Sequence, residues 1–269
     1  RQGLKLAPHN PRAHARIAIL LANQGDTAAA HIRWMAALNL FPQDSQLRLQ
    51  YAESLADANR FDEALEQAAQ ADEKSTRAYV TLARIHGALG NESQRILALR
   101  SALSSPDRDQ RATLELARAL ADTGAFTESM ALLEQATQDL SEFDFGLEVG
   151  RTFARFGAGD RARATLERLA EYNPERYEVW LELGRLHIES GRPEDAKVSL
   201  ETAQGLSNAP EIAWELGLAY RACGQSREAA GALIRAAAAR PDDEHIQEIL
   251  SDTLQRLRTP TNDVAPSQQ

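Results

Sequence analysis

Large, small and polar residues follow one another along this chain in a recurring order. Counted from Pro11, the order repeats about every 34 residues and divides the chain into seven units: 11–44, 45–75, 76–109, 110–142, 143–176, 177–209 and 210–243. Position 7 of each unit is large and apolar: Ile17, Tyr51, Leu82, Leu116, Val149, Leu183, Leu216. Position 8 is small throughout: Ala18, Ala52, Ala83, Ala117, Gly150, Gly184, Gly217. Position 27 is Ala in six units and Leu169 in the fifth, and position 24 is bulky in all but the second. Position 15 is Gly in six units and Asn59 in the other.

Positions 4, 7, 8 and 11 fall on one face of a helix, and so do positions 20, 24 and 27. Each unit therefore reads as two amphipathic helices of about 14 residues, roughly 20 Å long. Gly or Asn at position 15 suits the left-handed residue that ends the first helix. Pro42, Pro174 and Pro241 at position 32 end the second. One such pair cannot bury its apolar face alone, so the pairs must stack. Residues 1–10 read as the end of a truncated preceding unit. Residues 244–258 read as a capping helix through Ile246, Ile249, Leu250, Leu254 and Leu257, and residues 259–269 as a disordered tail. Arg95 stands where a small buried residue belongs, so the second helix of the third unit is expected to be rotated or to pack loosely.

These residues resemble the tetratricopeptide repeat family, which favours Trp, Leu, Gly and Tyr at positions 4, 7, 8 and 11, Ala at 20 and 27, and Pro at 32. The sixth unit carries the pattern best, with Trp180, Leu183, Gly184, Ala196, Leu200 and Ala203. The resemblance covers residues 11–243. It implies an all-α, right-handed superhelix of antiparallel helix pairs with a concave groove, and a protein or peptide partner held there. Family analogy points to a non-catalytic scaffold in a bacterial assembly of the envelope, exopolysaccharide-export or secretion type. The alternative is a regulatory or substrate-recruiting region of, or partner to, an enzyme such as a glycosyltransferase. The same analogy favours the periplasm over the cytoplasm. Self-association through the open N-terminal end is a third reading.

Charge and chemistry narrow this further. The net charge is −9, which argues against a nucleic-acid partner. The longest purely apolar run, Ile17–Ala22, is far too short to span a membrane. The basic residues are 27 Arg against 3 Lys, a bias read as that of a GC-rich bacterium. The single Cys223 excludes an internal disulfide. No metalloprotease, phosphate-loop or nucleophile-elbow motif occurs, so no catalytic residue, metal or cofactor is expected. Gly157-Ala-Gly159-Asp-Arg-Ala162 matches a dinucleotide-binding turn in form, but a helix precedes it and the repeat explains both glycines. His86 and His187 at position 11 read as buried, hydrogen-bonded residues.

Positions 2, 5, 9, 12 and 13 are expected to point away from the core face of each first helix. Position 5 includes Val80, Leu114, Leu147, Leu181 and Trp214. It is either an apolar groove floor or helix packing. Position 9 places Arg84, Arg118, Arg151 and Arg185 in four consecutive units, with Arg77 and Arg111 at position 2 and Arg155 at position 13. This ladder would meet carboxylates of an acidic partner segment. Glu115, Glu148 and Glu182 stand three residues before their arginines, so ordinary surface ion pairs are the competing reading. The family's carboxylate clamp is not carried over, because Ile19 and Gln50 stand where its asparagines belong.

Overall fold

A computed structural model describes residues 10–71, 74–106 and 109–258. The expectations for residues 1–9 and 259–269 lie outside the described residues. Among those described, every regular element is an α-helix. The chain forms two compact units, Arg1–Ala136 and Thr137–Gln269.

The first unit holds α1 (Pro11–Asn23), α2 (Thr27–Leu40), α3 (Ser45–Asp57), α4 (Phe61–Gln70), α5 (Thr76–Ala88), α6 (Glu92–Leu103), α7 (Gln110–Asp122) and α8 (Phe126–Ala136). The second holds α9 (Phe143–Arg155), α10 (Gly159–Tyr172), α11 (Tyr177–Glu189), α12 (Pro193–Leu206), α13 (Pro210–Ala222), α14 (Ser226–Ala239) and α15 (Glu244–Arg258). In each unit an odd-numbered helix pairs with the even-numbered helix that follows it, and successive pairs stack.

Local chemistry sets the ends. The side chains of Asn10, Asp26, Asp44 and Ser75 accept backbone N–H groups at the starts of α1, α2, α3 and α5, satisfying donors the helix itself cannot. The turn inside each pair passes through a left-handed residue, glycine in six pairs and Asn59 (φ 58°) in the pair α3–α4. Asparagine is among the few side chains that tolerate that conformation.

Packing follows the size pattern. In the second unit the glycine at position 8 lies against the leucine at position 24 of the paired helix. A Cβ added to Gly184 would come within 2.4 Å of Leu200, so the two helices approach at a distance only glycine permits. Gly150 against Leu166 and Gly217 against Leu233 repeat the contact. In the first unit alanines hold position 8, and Trp34, Ala37 and Leu38 pack with Leu47, Tyr51 and Ala52 in one core cluster.

Arg95 corrects the expectation of loose packing. α6 is continuous, with Ala98, Leu99 and Ala102 buried. Gly87 opposite leaves the room, its missing Cβ standing 3.1 Å from the Arg95 Cδ. The guanidinium reaches Glu92 at 3.3 Å, Glu115 at 3.6 Å and Asp122 at 3.8 Å. A long side chain thus lays its stem in the packing and its charge among carboxylates.

Candidate functional site

Along the odd-numbered helices of the seven repeats, the side chains at positions 2, 6, 9 and 13 are exposed or half-buried, apart from the buried Thr81. At 3.6 residues per turn these fall within an arc of about 60° on the helical wheel.

In the first unit this arc lines a trough. One part, of about 810 Å³, is bordered by Arg12, Arg16, Ile19 and Asn23 of α1, Gln46, Gln50, Glu53 and Asp57 of α3, and Arg77 of α5. A second part, of about 510 Å³, shares Glu53, Asp57 and Arg77 and continues past Val80, Thr81 and Arg84. The two parts differ in electrostatics. Arg77 forms a two-pronged pair with Glu53, Nε to Oε1 at 2.8 Å and a terminal nitrogen to Oε2 at 2.5 Å. Arg84 donates to Asp57 at 2.8 Å and to the Glu53 carbonyl at 3.3 Å. At the α1 end, Arg12 and Arg16 are exposed and make no ion pair among the described residues. Gln46 and Gln50 line the same cavity.

The second unit carries a continuous chain of ion pairs along one face. Arg151 of α9 donates to Glu148 at 2.8 Å and to Glu182 of α11 at 2.8 Å. Arg185 of α11 donates to Glu182 at 3.0 Å and to Glu215 of α13 at 2.9 Å. Burial works against the charge of Arg151, but hydrogen bonds to Glu148 and Glu182 outweigh it and hold the guanidinium above its ordinary range. A hollow of about 370 Å³ beside this chain is lined by Arg151, Arg155, Arg185, Glu189 and the apolar Ala154, Leu166 and Leu186.

Four of the ladder arginines, Arg77, Arg84, Arg151 and Arg185, spend their charge on carboxylates of adjacent repeats. Arg118 is half-buried and bonds Glu115 at 3.3 Å. Arg111 is exposed in the first turn of α7, where Asp109 accepts its backbone N–H. Arg155 is exposed at the rim of the second hollow.

Position 5 is corrected more sharply. Leu114, Leu147 and Leu181 are buried, and so are Ala15 and Leu49. They pack between helices and form no groove floor. Trp214 is half-buried, its ring at 60° to that of His245 with 5.5 Å between centroids, and packs with Ala213, Ala236, Ala237 and Ile246. Val80 alone of the expected floor lines the trough, half-buried. Position 5 lies at the edge of the solvent arc, where a neighbouring helix covers it. Position 6 takes its place, and its signal was present in the sequence: Arg16, Gln50, Thr81, Glu115, Glu148, Glu182 and Glu215 are polar in all seven units.

His187 is buried and His86 half-buried, but the Nδ1 atom of each has no hydrogen-bond partner among the described residues. Burial lowers the pKa of both, and Arg192 adds to the effect at His187. Among the described residues no group of three or more His, Cys, Asp and Glu is placed to hold a metal ion, and no helix is long and apolar enough to cross a membrane.

Stacked antiparallel helix pairs with a solvent-facing stripe on alternate helices define an α-solenoid repeat protein. Family models described as tetratricopeptide repeat match residues 154–207, 80–144 and 184–244. The chain belongs to the tetratricopeptide repeat family, whose fold supports a role as a protein-interaction scaffold. A solved tetratricopeptide repeat protein from Parabacteroides merdae has the same fold, with a TM-score of 0.57 at 15% identity over 91% of this chain and 98% of that one. PilW, a type IV pilus biogenesis factor, gives 0.57 at 21% identity over 77% of this chain and 98% of its own. The pilF protein of Pseudomonas aeruginosa gives 0.54 at 17% identity, covering 78% and 98%. A search of curated protein sequences finds no match.

Proposed function

We propose that this chain is a non-catalytic scaffold that holds an extended segment of a partner protein in the trough of the first unit, with a carboxylate of that segment on Arg12 and Arg16. The carrying observation is the contrast within the trough. Arg77 and Arg84 are neutralised internally, whereas Arg12 and Arg16, one turn apart on α1, are exposed and make no ion pair among the described residues. A guanidinium matches the planar, two-oxygen geometry of a carboxylate. The amides of Gln46 and Gln50 supply donors and acceptors for an extended backbone lying across α3. Adjacent odd-numbered helices lie roughly 10 Å apart, which an extended chain covers in about three residues. Acidic residues at that spacing therefore suit the site. A place in a bacterial envelope assembly rests on family analogy alone.

Fluorescence anisotropy with a labelled peptide carrying Asp at every third residue tests the reading. The whole chain should bind it, more weakly as salt is raised. The double change Arg12→Glu and Arg16→Glu should weaken binding by about tenfold or more, while Arg155→Glu in the second unit leaves it unchanged. Equal binding by the double variant and the parent chain would remove Arg12 and Arg16 from the site.

A further inference from the structure

Position 13 is the last residue of every odd-numbered helix from α1 to α13, and the first unit shows how a charge there is held. Asp57 of α3 accepts from Arg84, at position 9 of the next repeat, at 2.8 Å. Asp122 of α7 lies 3.8 Å from Arg95. In the second unit position 13 is Arg155 on α9 and Glu189 on α11. Both are exposed, and neither makes an ion pair among the described residues.

The register of the repeats explains why. The contact that pairs Asp57 with Arg84 sets Arg155 against position 9 of its own neighbour, which is Arg185. That is a like charge, and it is already committed to Glu182 and Glu215. For Glu189 the same position is Leu218, which carries no charge. Glu189 also stands at the negative end of the α11 dipole, where a carboxylate is disfavoured.

The two residues share the hollow of about 370 Å³ in the second unit. Of the other charged side chains that line it, Arg151 and Arg185 are both bonded to Glu182. One guanidinium and one carboxylate are left over, on stacked helices whose axes lie roughly 10 Å apart. Ala154 and Leu186 give the same hollow an apolar wall.

We propose that Arg155 and Glu189 together hold an extended partner segment of mixed charge, its carboxylate on Arg155 and its ammonium or guanidinium on Glu189. An extended chain covers roughly 10 Å in about three residues, so the two charges stand about three residues apart. An aliphatic side chain between them lies against Ala154. An all-acidic segment, as read for the trough, is disfavoured here because Glu189 repels it. The inference uses residues of the second unit only and stands without the trough.

The probe is a fluorescent peptide containing Asp-Leu-Ala-Lys-Leu-Ala-Asp, which offers the two charges in both orders. Anisotropy is measured at low salt on the whole chain carrying Arg12→Glu and Arg16→Glu, so that the trough does not contribute. This chain should bind the probe saturably. Glu189→Gln should weaken binding about threefold, the scale of one exposed ion pair, and so should replacing the peptide's lysine by glutamine. The two changes together should cost no more than either alone, because they remove the same interaction. Arg155→Gln should couple in the same way to replacement of both peptide aspartates by asparagine. Both variants stay folded, because both side chains are exposed, and circular dichroism verifies this. Absence of binding, or losses that multiply where they should coincide, overturns the proposal. The trough reading has its own probe and its own variants, so the two fail separately.

Discussion

A single hydrogen atom in place of a methyl group sets the closest helix approach in the second unit. At Gly184 the space a Cβ would need is held by the Cγ and Cδ atoms of Leu200, themselves fully buried. Gly184→Ala should therefore cost about 1–3 kcal/mol through forced repacking. Gly231, in the middle of α14, has nothing within 4 Å of its notional Cβ. Gly231→Ala should stabilise by about 0.5–1 kcal/mol, the helix-propensity difference. Urea denaturation of the two variants checks both signs. His187 couples stability to pH. Burial, then Arg192, lowers its pKa in the folded chain. The unfolded chain therefore binds the proton more readily, and the stabilisation is complete above the ordinary histidine pKa of about 6.5 and lost as pH falls through the lowered folded value. His86 acts with the same sign. The loss of stability between about pH 7.5 and 5.5 should be smaller in His187→Gln than in the parent chain, measured by thermal melts across that range. An equal loss would mean that the imidazole is not held neutral.

At the scale of helices, the ion pairs act as rungs between repeats. Glu182, with a side chain only 12% exposed, accepts from both Arg151 and Arg185 and so ties α9 to α11. Glu182→Ala leaves two like charges without their shared acid. Because both guanidiniums are more than a third exposed, solvent limits the loss to about 1 kcal/mol, and high salt should reduce it. Denaturation at low and high ionic strength measures this; a loss independent of salt would point to packing instead. The arginines at position 9 were legible in the sequence, and so were the glutamates three residues before them. The pairs within a helix, Arg118 with Glu115, Arg151 with Glu148 and Arg185 with Glu182, form as that spacing allows; the acids of the next repeat were not legible, because Glu182 lies on a separate helix 31 residues from Arg151 and only stacking brings it near. The same limit explains Leu114 and Leu181. Helical periodicity placed them off the core face, but periodicity describes one helix in isolation. A helix covered on several sides has a narrower solvent face than an amphipathic wheel implies.

At the scale of the whole molecule, each unit is a stack in which a repeat touches its neighbours and little else, so stability is a sum of local terms. Leu200→Ala, which opens a cavity beside Gly184, should accelerate amide exchange most in α11–α13 and progressively less toward the end of α15. Uniform acceleration across the second unit, followed by mass spectrometry, would show that it unfolds all at once. The amino-acid order by itself determined the helix pairs, their turns and the buried stripe, because these depend on residue size at a fixed local spacing. Tertiary structure alone decided which charges remain available. Arg12 and Arg77 both stand at position 2, and nothing local separates them. Arg77 meets Glu53 on a stacked helix, whereas Arg12 makes no ion pair among the described residues. Ion pairing depends on distance through space, and the repeat period encodes that distance only once the helices are stacked.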